Sequence, residues 1–311
     1  MSRPGSAGRV TVVDASVAAD EQGAARGGGL SPGEIVGLLT LEVIEVDMFR
    51  ASGLPGETSR LYGGQVAAQA LAAAGYTVTG ARPHSLHAYF LRPGDSSLPV
   101  LFQVDRLHDG RTFRRRRVTA IQRGEPILCL ETSFTADTSD ADDYHAAPSA
   151  PPPDECPEFD ASIWGGGRLS PWNLFDARLV PDEAVPMPRA LLGNMWLRFR
   201  AVADSAPGAG APGVLPEVML TYLSDITLAS AALRPTKRHP AGRPDVTGVT
   251  SLDHSVWFHN PPDLSDWLLY AKTAPATGPA RGLTTGHIFN RDGTLVASVS
   301  QEALLHTRRG E

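Results

Sequence analysis

One carboxylate lies inside a run of apolar and small residues, YLSDITLASAAL, at residues 222–233. If the run is helical, the side chain of Asp225 shares its face with Tyr222, Leu228, Ala229 and Ala232. An ionised carboxylate left unpaired in apolar surroundings is costly, so Asp225 needs partners. It is either a helix N-cap, whose oxygens accept backbone N–H groups, or the general base of a reaction. The run alone does not decide between these two roles.

Motifs for other chemistries are weak or missing in the sequence. GAGAPG, at residues 208–213, fits the GxGxxG spacing of dinucleotide-binding loops, but Pro207 and Pro212 flank or interrupt it and no predicted strand precedes it. The HExxH motif and paired cysteines with metal-ligand spacing do not occur. We therefore expect no metal site and no redox or nucleotide cofactor.

The composition is typical of a soluble globular protein with a sizeable core. The 311 residues carry a net charge of −6, which gives no overall attraction to nucleic acid or to anionic lipid. Two cysteines, Cys129 and Cys156, cannot form a disulfide framework. The N-terminus lacks the apolar core of a signal peptide, and no run of about 18 apolar residues occurs. These features predict a cytoplasmic protein that binds neither nucleic acid nor membranes.

Two stretches with little structural propensity divide the chain. Residues 1–30 are rich in Gly and Ala without periodicity, which predicts a disordered N-terminal segment. The fold is expected to begin at SPGEIVGLL, where Ser31 can cap a helix and Glu34 can complete a capping box. Residues 137–160 combine an acidic patch with prolines, which is typical of a linker. The sequence thus predicts one unit over residues 31–136 and another over residues 161–311.

The two sides of the predicted linker resemble each other. YFLRPGD matches WFHNPPD, with an offset of 261 − 93 = 168 between their first prolines. RRVTAIQRGEPILCLETSF matches GHIFNRDGTLVASVSQEAL, with an offset of 293 − 124 = 169 between their turn glycines. The small-residue runs LYGGQVAAQALAAA and YLSDITLASAAL also match, with an offset of 225 − 64 = 161. Three matches in the same order indicate two copies of one unit.

Each predicted unit combines one helix with several strands. LPVLFQVDRL alternates apolar and polar residues, and PILCLETSF, DWLLYAKT and LVASVSQEALL are further strand candidates, with turn signals such as RDG between strands. A helix that is apolar on nearly every face should be buried, and a curved antiparallel sheet wrapped around it would bury it. The predicted class is α+β, with two tandem units, each a curved antiparallel sheet around a central helix.

Several motifs together resemble the acyl-CoA thioesterase II (TesB-like) family. They are YGGQVAAQAL, HAYFLRPGD, YLSD, SLDHSVWFH, WLLY and DGTLVASVSQE, in that order, and the resemblance covers roughly residues 31–306. It implies a double hotdog fold and hydrolysis of an acyl-CoA to a free carboxylic acid and coenzyme A, without a cofactor. The family's catalytic trio of Asp, Thr or Ser, and Gln falls on Asp225, Ser251 and Gln301, with Ser251 in place of the commoner Thr. The expected assembly is a homo-oligomer, either a dimer or a tetramer.

The chemistry of such a trio follows from general principles. A thiolate leaving group has a pKa of about 8.5, so thioester hydrolysis does not need a strong general acid. It needs an activated water and a site for the oxyanion. A carboxylate in a partly apolar pocket is a suitable base, and hydroxyl and amide groups can orient the water. Backbone N–H groups at the start of a helix can hold the developing oxyanion.

The first copy has a glycine where the second has its candidate base. Gly64 matches Asp225, which predicts one working site per chain, carried by the second unit. Gly64, Gln65 and His254 are candidate substrate-binding residues, with Gln65 lent to the pocket by the first unit. His254 follows Asp253, but neighbours on a strand point to opposite faces. We therefore interpret this pair as structural hydrogen bonding rather than as a catalytic dyad.

The one dense basic run is RTFRRRR, at residues 111–117. On a strand, Arg115 and Arg117 share one face, while Arg114 and Arg116 share the other. We interpret the run as a solvated or salt-bridged strand surface, and contact with coenzyme A phosphates is the alternative.

Three other functions stay open on the sequence alone. One is a thioesterase that releases a carrier-bound acyl or polyketide chain in specialised biosynthesis. Another is a hotdog hydratase that adds water to an enoyl thioester, for which SLDHS offers only a superficial Asp–His pair. The last is a non-catalytic protein that binds acyl thioesters, and Asp225 counts against it because such a protein would not need the base.

Overall fold

The computed structural model describes residues 32–53, 60–136, 139–159, 170–182, 192–200, 216–234, 243 and 245–307. The predicted disordered segment 1–30, the cap at Ser31 and the GAGAPG loop lie outside these residues. The described α-helices are α1 (Pro32–Leu38), α2 (Gly63–Tyr76) and α3 (Pro216–Ser224). Short 3₁₀ helices span Pro153–Glu155, Pro171–Leu174 and Ala229–Leu233.

The described strands are antiparallel and belong to one sheet. The first unit contains β1 (Glu42–Glu45), β2 (Met48–Ala51), β3 (Arg82–Phe90), β4 (Val100–Asp109), β5 (Phe113–Gln122) and β6 (Glu125–Thr135). The second contains β7 (Phe175–Leu179), β8 (Met195–Phe199), β9 (Val246–Ser251), β10 (Asp253–Phe258), β11 (Leu268–Thr277), β12 (Arg281–Asn290) and β13 (Leu295–Thr307). Their order is β1-β2-β4-β5-β6-β3-β10-β13-β12-β11-β8-β7, and β9 pairs with β13. The two units therefore meet at β3 and β10.

The register of β3 and β10 shows how the two units are related. His87 lies opposite Ser255, and 255 − 87 = 168 equals the offset between the matching prolines. Tyr89 pairs with Asp253, while Ser85 pairs with Trp257, so the pairs to either side are also related by this offset. A local twofold axis therefore passes between His87 and Ser255. This geometry agrees with the duplication predicted from the sequence.

Helix α2 is buried in the first unit along most of its length. Its residues from Gly64 to Ala74 are all buried, which small side chains permit because the sheet can approach closely. The guanidinium of Arg116, itself only 1% exposed, donates to the carbonyl of Thr77 at the end of the helix, at 3.2 Å. It also pairs with Asp109 at 2.6 Å. A cation at this end complements the helix dipole.

The corresponding run of the second unit is not a continuous helix. Helix α3 ends at Ser224, a turn covers residues 225–228, and a 3₁₀ helix follows. Thr227 has a φ of 56°, in the left-handed region that a continuing α-helix does not allow. The helical interpretation of YLSDITLASAAL is therefore wrong after Ser224. Asp225 is the first residue of the turn rather than one position on a helix face.

Residues 139–159, called the strap below, connect the two units and are packed on the sheet of the second. The indole N–H of Trp196 in β8 donates to the carbonyl of Pro151 at 2.9 Å. The ring of His145 contacts that of His287 in β12 edge to face, with centroids 4.3 Å apart. The predicted linker is therefore held on the sheet by contacts with Trp196 and His287.

Candidate active site

A cavity of about 400 Å³ lies between the two units. The first unit contributes the start of α2, with Gly63 and Val66, and the chain from Phe90 to Gly94. The second contributes Asp225 and the end of β9. Much of the wall is apolar, and the polar side chains on it besides Asp225 are Arg60, Arg92, Thr250, Ser251 and His306. Neither unit could form this cavity alone.

Asp225 is the buried carboxylate of the cavity, with only 8% of its surface exposed. Its Oδ2 accepts the backbone N–H of Gly64, and its Oδ1 accepts the side-chain amide of Gln301, both at 2.7 Å. Burial raises the pKa of Asp225, while the hydrogen bonds from Gln301 and Gly64 act in the opposite direction. A carboxylate with a raised pKa at a cavity wall is a candidate general base.

Asp225 also caps a helix, but that helix belongs to the other unit. Gly64 is the second residue of α2, and the residue before this helix, Tyr62, makes no side-chain capping bond. The carboxylate of Asp225 therefore supplies the acceptor that an N-cap side chain normally provides. The positive end of the α2 dipole also favours its ionised form. One side chain thus caps a helix and lines the cavity.

Two glycines allow the turn and the helix to come this close. A Cβ at Gly63 would lie 2.8 Å from Oδ2 of Asp225, and one at Gly64 would lie 2.6 Å from the carbonyl of Tyr222. Any larger residue at either position would push the turn away from α2. Gly64 was expected at the site, whereas Gly63 was missed. The available signal was a pair of glycines at the start of a helix, where glycine is otherwise unfavourable.

Ser251 and Gln301 are brought to the same side of the sheet by strand pairing. Ser251, the last residue of β9, lies opposite Ala303 of β13, and Gln301 is two residues before Ala303. Directly paired residues and residues two apart point to the same face. Ser251 and Asp225 both line the cavity, and Gln301, which binds Asp225, is fully buried. The structure therefore groups the three residues that the family resemblance indicated.

The other candidate residues have different positions. Gly64 binds Asp225 through its backbone N–H. Gln65 is buried beside Gly64, and its backbone N–H donates to the carbonyl of Tyr62. His254 is fully buried and is not part of the cavity wall. Its Nε2 lies 2.7 Å from Oγ of Ser224, so the structure gives it the structural hydrogen bond that strand alternation suggested.

The local twofold axis relates this cavity to a smaller pocket of about 100 Å³. Phe258 to Pro262 line that pocket where Phe90 to Gly94 line the larger one, again 168 residues apart. Pro83 takes the place of Ser251. The pocket is also narrowed by an ion pair between Arg82 and Glu217, at 2.6 Å. In this pocket a proline thus stands where the larger cavity has the hydroxyl of Ser251.

The basic run at residues 111–117 does not reach the cavity wall. As expected of a strand, Arg115 and Arg117 are exposed on one face, and Arg117 pairs with Glu131 at 2.7 Å. Arg116 lies on the other face and is buried against the end of α2. The interpretation as a salt-bridged surface fits Arg117, but Arg116 is a buried helix-capping residue.

Within the part of the chain that the structure describes, no three His, Cys, Asp or Glu side chains are grouped so that they could hold a metal ion. No helix among the described residues is long and apolar enough to span a bilayer.

Comparisons with known proteins cover both units. A family model described as Acyl-CoA thioesterase matches residues 201–304, and one described as Acyl-CoA thioesterase N-terminal domain matches residues 52–136. The chain is 33% identical over 293 residues to Acyl-coenzyme A thioesterase 8 of Homo sapiens, covering 87% of this chain and 88% of that protein. It is 30% identical over 278 residues to Acyl-CoA thioesterase 2 of Haemophilus influenzae, covering 87% and 96%. The solved structure of acyl-CoA thioesterase II TesB2 from Mycobacterium marinum matches with a TM-score of 0.71 and 38% identity, covering 89% of this chain and 100% of that one.

Proposed function

The chain belongs to the acyl-CoA thioesterase family, and on that premise we propose that a water activated by Asp225, with Ser251 and Gln301, hydrolyses its acyl-CoA substrate to a carboxylic acid and coenzyme A. The family match makes the protein a thioester hydrolase, and the similarity to solved TesB structures confirms the double hotdog fold predicted from the sequence. The roles of the individual residues form the proposal.

One observation carries the proposal: the carboxylate of Asp225 is held by one donor from each unit at the wall of the cavity. The Gly64 N–H and the Gln301 amide fix its orientation, and burial raises its pKa. A raised pKa makes the carboxylate a better proton acceptor for the attacking water. The hydroxyl of Ser251 lines the same cavity and is suited to hold that water.

The start of α2 is suited to stabilise the oxyanion. Gly63, the first residue of the helix, lines the cavity, and the first N–H groups of a helix have no partner within the helix itself. The Gly64 N–H is already bound to Asp225. We therefore assign the oxyanion contact to the N–H of Gly63, where the helix dipole favours developing negative charge.

The phosphates of coenzyme A are proposed to contact the arginines at the cavity rather than the basic run in β5. Arg60 and Arg92 are exposed and lie on the cavity wall, whereas the exposed Arg117 is away from it. Guanidinium groups form charge-assisted hydrogen bonds with phosphate oxygens.

Thiol release from a panel of acyl-CoA chain lengths tests the proposal. The expected result is release of free coenzyme A with water as the only co-substrate. The same acyl chains attached to acyl carrier protein test whether the protein releases carrier-bound chains. A crotonyl thioester tests whether the protein adds water to the double bond. Hydration without thiol release would overturn the proposal. The hydratase alternative is disfavoured because His254 is buried away from the cavity and so cannot act with Asp253 on a substrate.

The cytoplasmic location and the dimer or tetramer stay predictions from the sequence. Light scattering coupled to size-exclusion chromatography measures the assembly directly, and a monomer at all concentrations would contradict it.

A further inference from the structure

The residue that precedes Asp225 is held from two strands of the second unit. Ser224 is the last residue of α3, and its carbonyl accepts the hydroxyl of Tyr270 in β11. Its own hydroxyl lies 2.7 Å from Nε2 of His254 in β10. Side chain and backbone of Ser224 are thus both fixed, one residue before the candidate base.

The hydrogen bonds around Ser224 determine which nitrogen of His254 carries the proton. The Ser224 hydroxyl also lies 2.9 Å from the carbonyl of Thr221, which can only accept, so the hydroxyl hydrogen points there. We therefore assign the ring proton to Nε2 of His254, whose N–H then donates to Oγ of Ser224. Burial lowers the pKa of His254 to about 4, so the ring is neutral at physiological pH. Its Nδ1 is left as a lone pair without a partner among the described residues.

This arrangement has a cost that packing alone does not explain. His254 is fully buried, and an unpaired buried nitrogen is unfavourable compared with an apolar side chain of similar size. Among the described residues, the His254 side chain makes one hydrogen bond, and its partner is Ser224, the residue next to Asp225. Asp225 directly follows the last residue of α3, and the chain turns sharply two residues later at Thr227, whose φ is 56°. The orientation of the Asp225 carboxylate therefore depends on the position of Ser224.

We propose that His254 is a positioning residue for thioester hydrolysis: through the Ser224 hydroxyl it fixes the turn that aims Asp225 at the start of α2. The inference rests on the proposed function, because it assumes that Asp225 is the base. It assigns His254 a role at a distance from the substrate, in place of the substrate contact expected from the sequence. A displacement of the base by about 1 Å can cost about 100-fold in rate, so a fixed turn matters for catalysis.

The test compares two replacements of His254 with a control on the same strand. His254→Leu fills the space without a donor, and we expect kcat to fall about 10-fold to 100-fold with KM nearly unchanged. His254→Gln places an amide N–H near the position of Nε2, and we expect it to recover most of that loss. Val256→Ala removes a buried side chain two residues away in β10, and we expect thermal destabilisation without the fall in kcat. An equal fall in kcat for Val256→Ala and His254→Leu would overturn the inference.

A double variant separates positioning from general damage. If His254 acts only through Asp225, the variant Asp225→Asn/His254→Leu should be no slower than Asp225→Asn alone. Multiplied losses would overturn the inference. Should His254→Leu fail to fold, Ser224→Ala takes its place, because it removes the hydroxyl that His254 binds. Unchanged kcat in Ser224→Ala would overturn the inference while leaving the proposed function intact. A fully active Asp225→Asn would instead refute the proposed function itself.

Discussion

At the scale of single residues, the surroundings of Asp225 determine how its charge responds to pH. Burial is the largest cause and raises its pKa, so the basic form appears at higher pH than for an exposed aspartate. The value of kcat/KM should therefore rise with pH as Asp225 loses its proton. The hydrogen bond from Gln301 favours the charged form and lowers the pKa.

Removing that hydrogen bond should move the acidic limb of the pH profile. We expect Gln301→Leu to shift the limb of kcat/KM to higher pH, because the charged carboxylate loses a donor. The control is Gln122→Leu, which removes a buried glutamine of the first unit that binds the backbone of Asp95 and Leu98. Profiles measured with one acyl-CoA compare the two variants. An acidic limb that stays in place or moves to lower pH in Gln301→Leu would contradict this assignment.

Ser251 provides a second prediction at this scale. If its hydroxyl holds the attacking water, Ser251→Ala should lower kcat more than it weakens substrate binding, since the contact acts mainly in the transition state. Ser251→Thr should stay active, because it keeps the hydroxyl and restricts its rotamers. Steady-state kinetics with thermal melting as a folding control measure both. Equal kcat in the alanine variant and the natural protein would show that the water is held elsewhere.

At the scale of elements, the site depends on the contact between the start of α2 and the turn after α3. Gly63→Ala would place a Cβ 2.8 Å from Oδ2 of Asp225, so the turn must move. We expect a fall in kcat of about 10-fold to 100-fold, as for a misplaced base. The matched control is Gly37→Ala in α1, where nothing lies within 4 Å of the added atom and activity should not change. Thiol release by both variants measures the effect, and full activity in Gly63→Ala would contradict the geometry.

The sequence predicted some elements of the site well and others poorly, for physical reasons. The buried helix α2 and the alternating strands follow from local patterns of small and apolar residues, and these patterns can be recognised within each segment of the sequence. The break after Ser224 does not, because it accompanies a hydrogen bond from the Gly64 N–H of the other unit to Asp225, and no local pattern shows that contact. The burial of Arg116 was missed for the same reason, since its acceptor is the end of a helix far away in the sequence.

At the scale of the whole molecule, the duplication is visible in two related pockets that are lined by different side chains. The offset of 168 residues, visible in the sequence, recurs in the pairing of His87 with Ser255 and in the walls of both pockets. In the larger one the carboxylate of Asp225 faces the start of α2, whereas in the smaller one Glu217 is paired with Arg82. The proposed site combines the start of α2 from the first unit with Asp225 from the second, so it needs both units.

The strap gives a prediction for the intact chain. Its composition alone suggests early cleavage, but Pro151 accepts the Trp196 indole and His145 packs on His287. We expect residues 147–159 to resist limited proteolysis until the fold opens, because the backbone there is held on the sheet. Mass spectrometry of the first fragments locates the cuts. A first cut between residues 147 and 159 would mean that the strap is not held in solution.

The central claim is that Asp225 is the base that activates water, and replacing this one carboxylate tests it most directly. Asp225→Asn keeps the size of the side chain, and Asp253→Asn is the matched control, because Asp253 also accepts a backbone N–H in the second unit, from Glu302 at 2.7 Å, but is not part of the cavity wall. The measurement is thiol release from an acyl-CoA, with folding checked by thermal melting and substrate binding by calorimetry. We expect kcat to fall about 100-fold or more in Asp225→Asn, with binding retained, and to stay near the natural value in Asp253→Asn. Thioester hydrolysis at the natural rate by a folded Asp225→Asn variant would contradict the account.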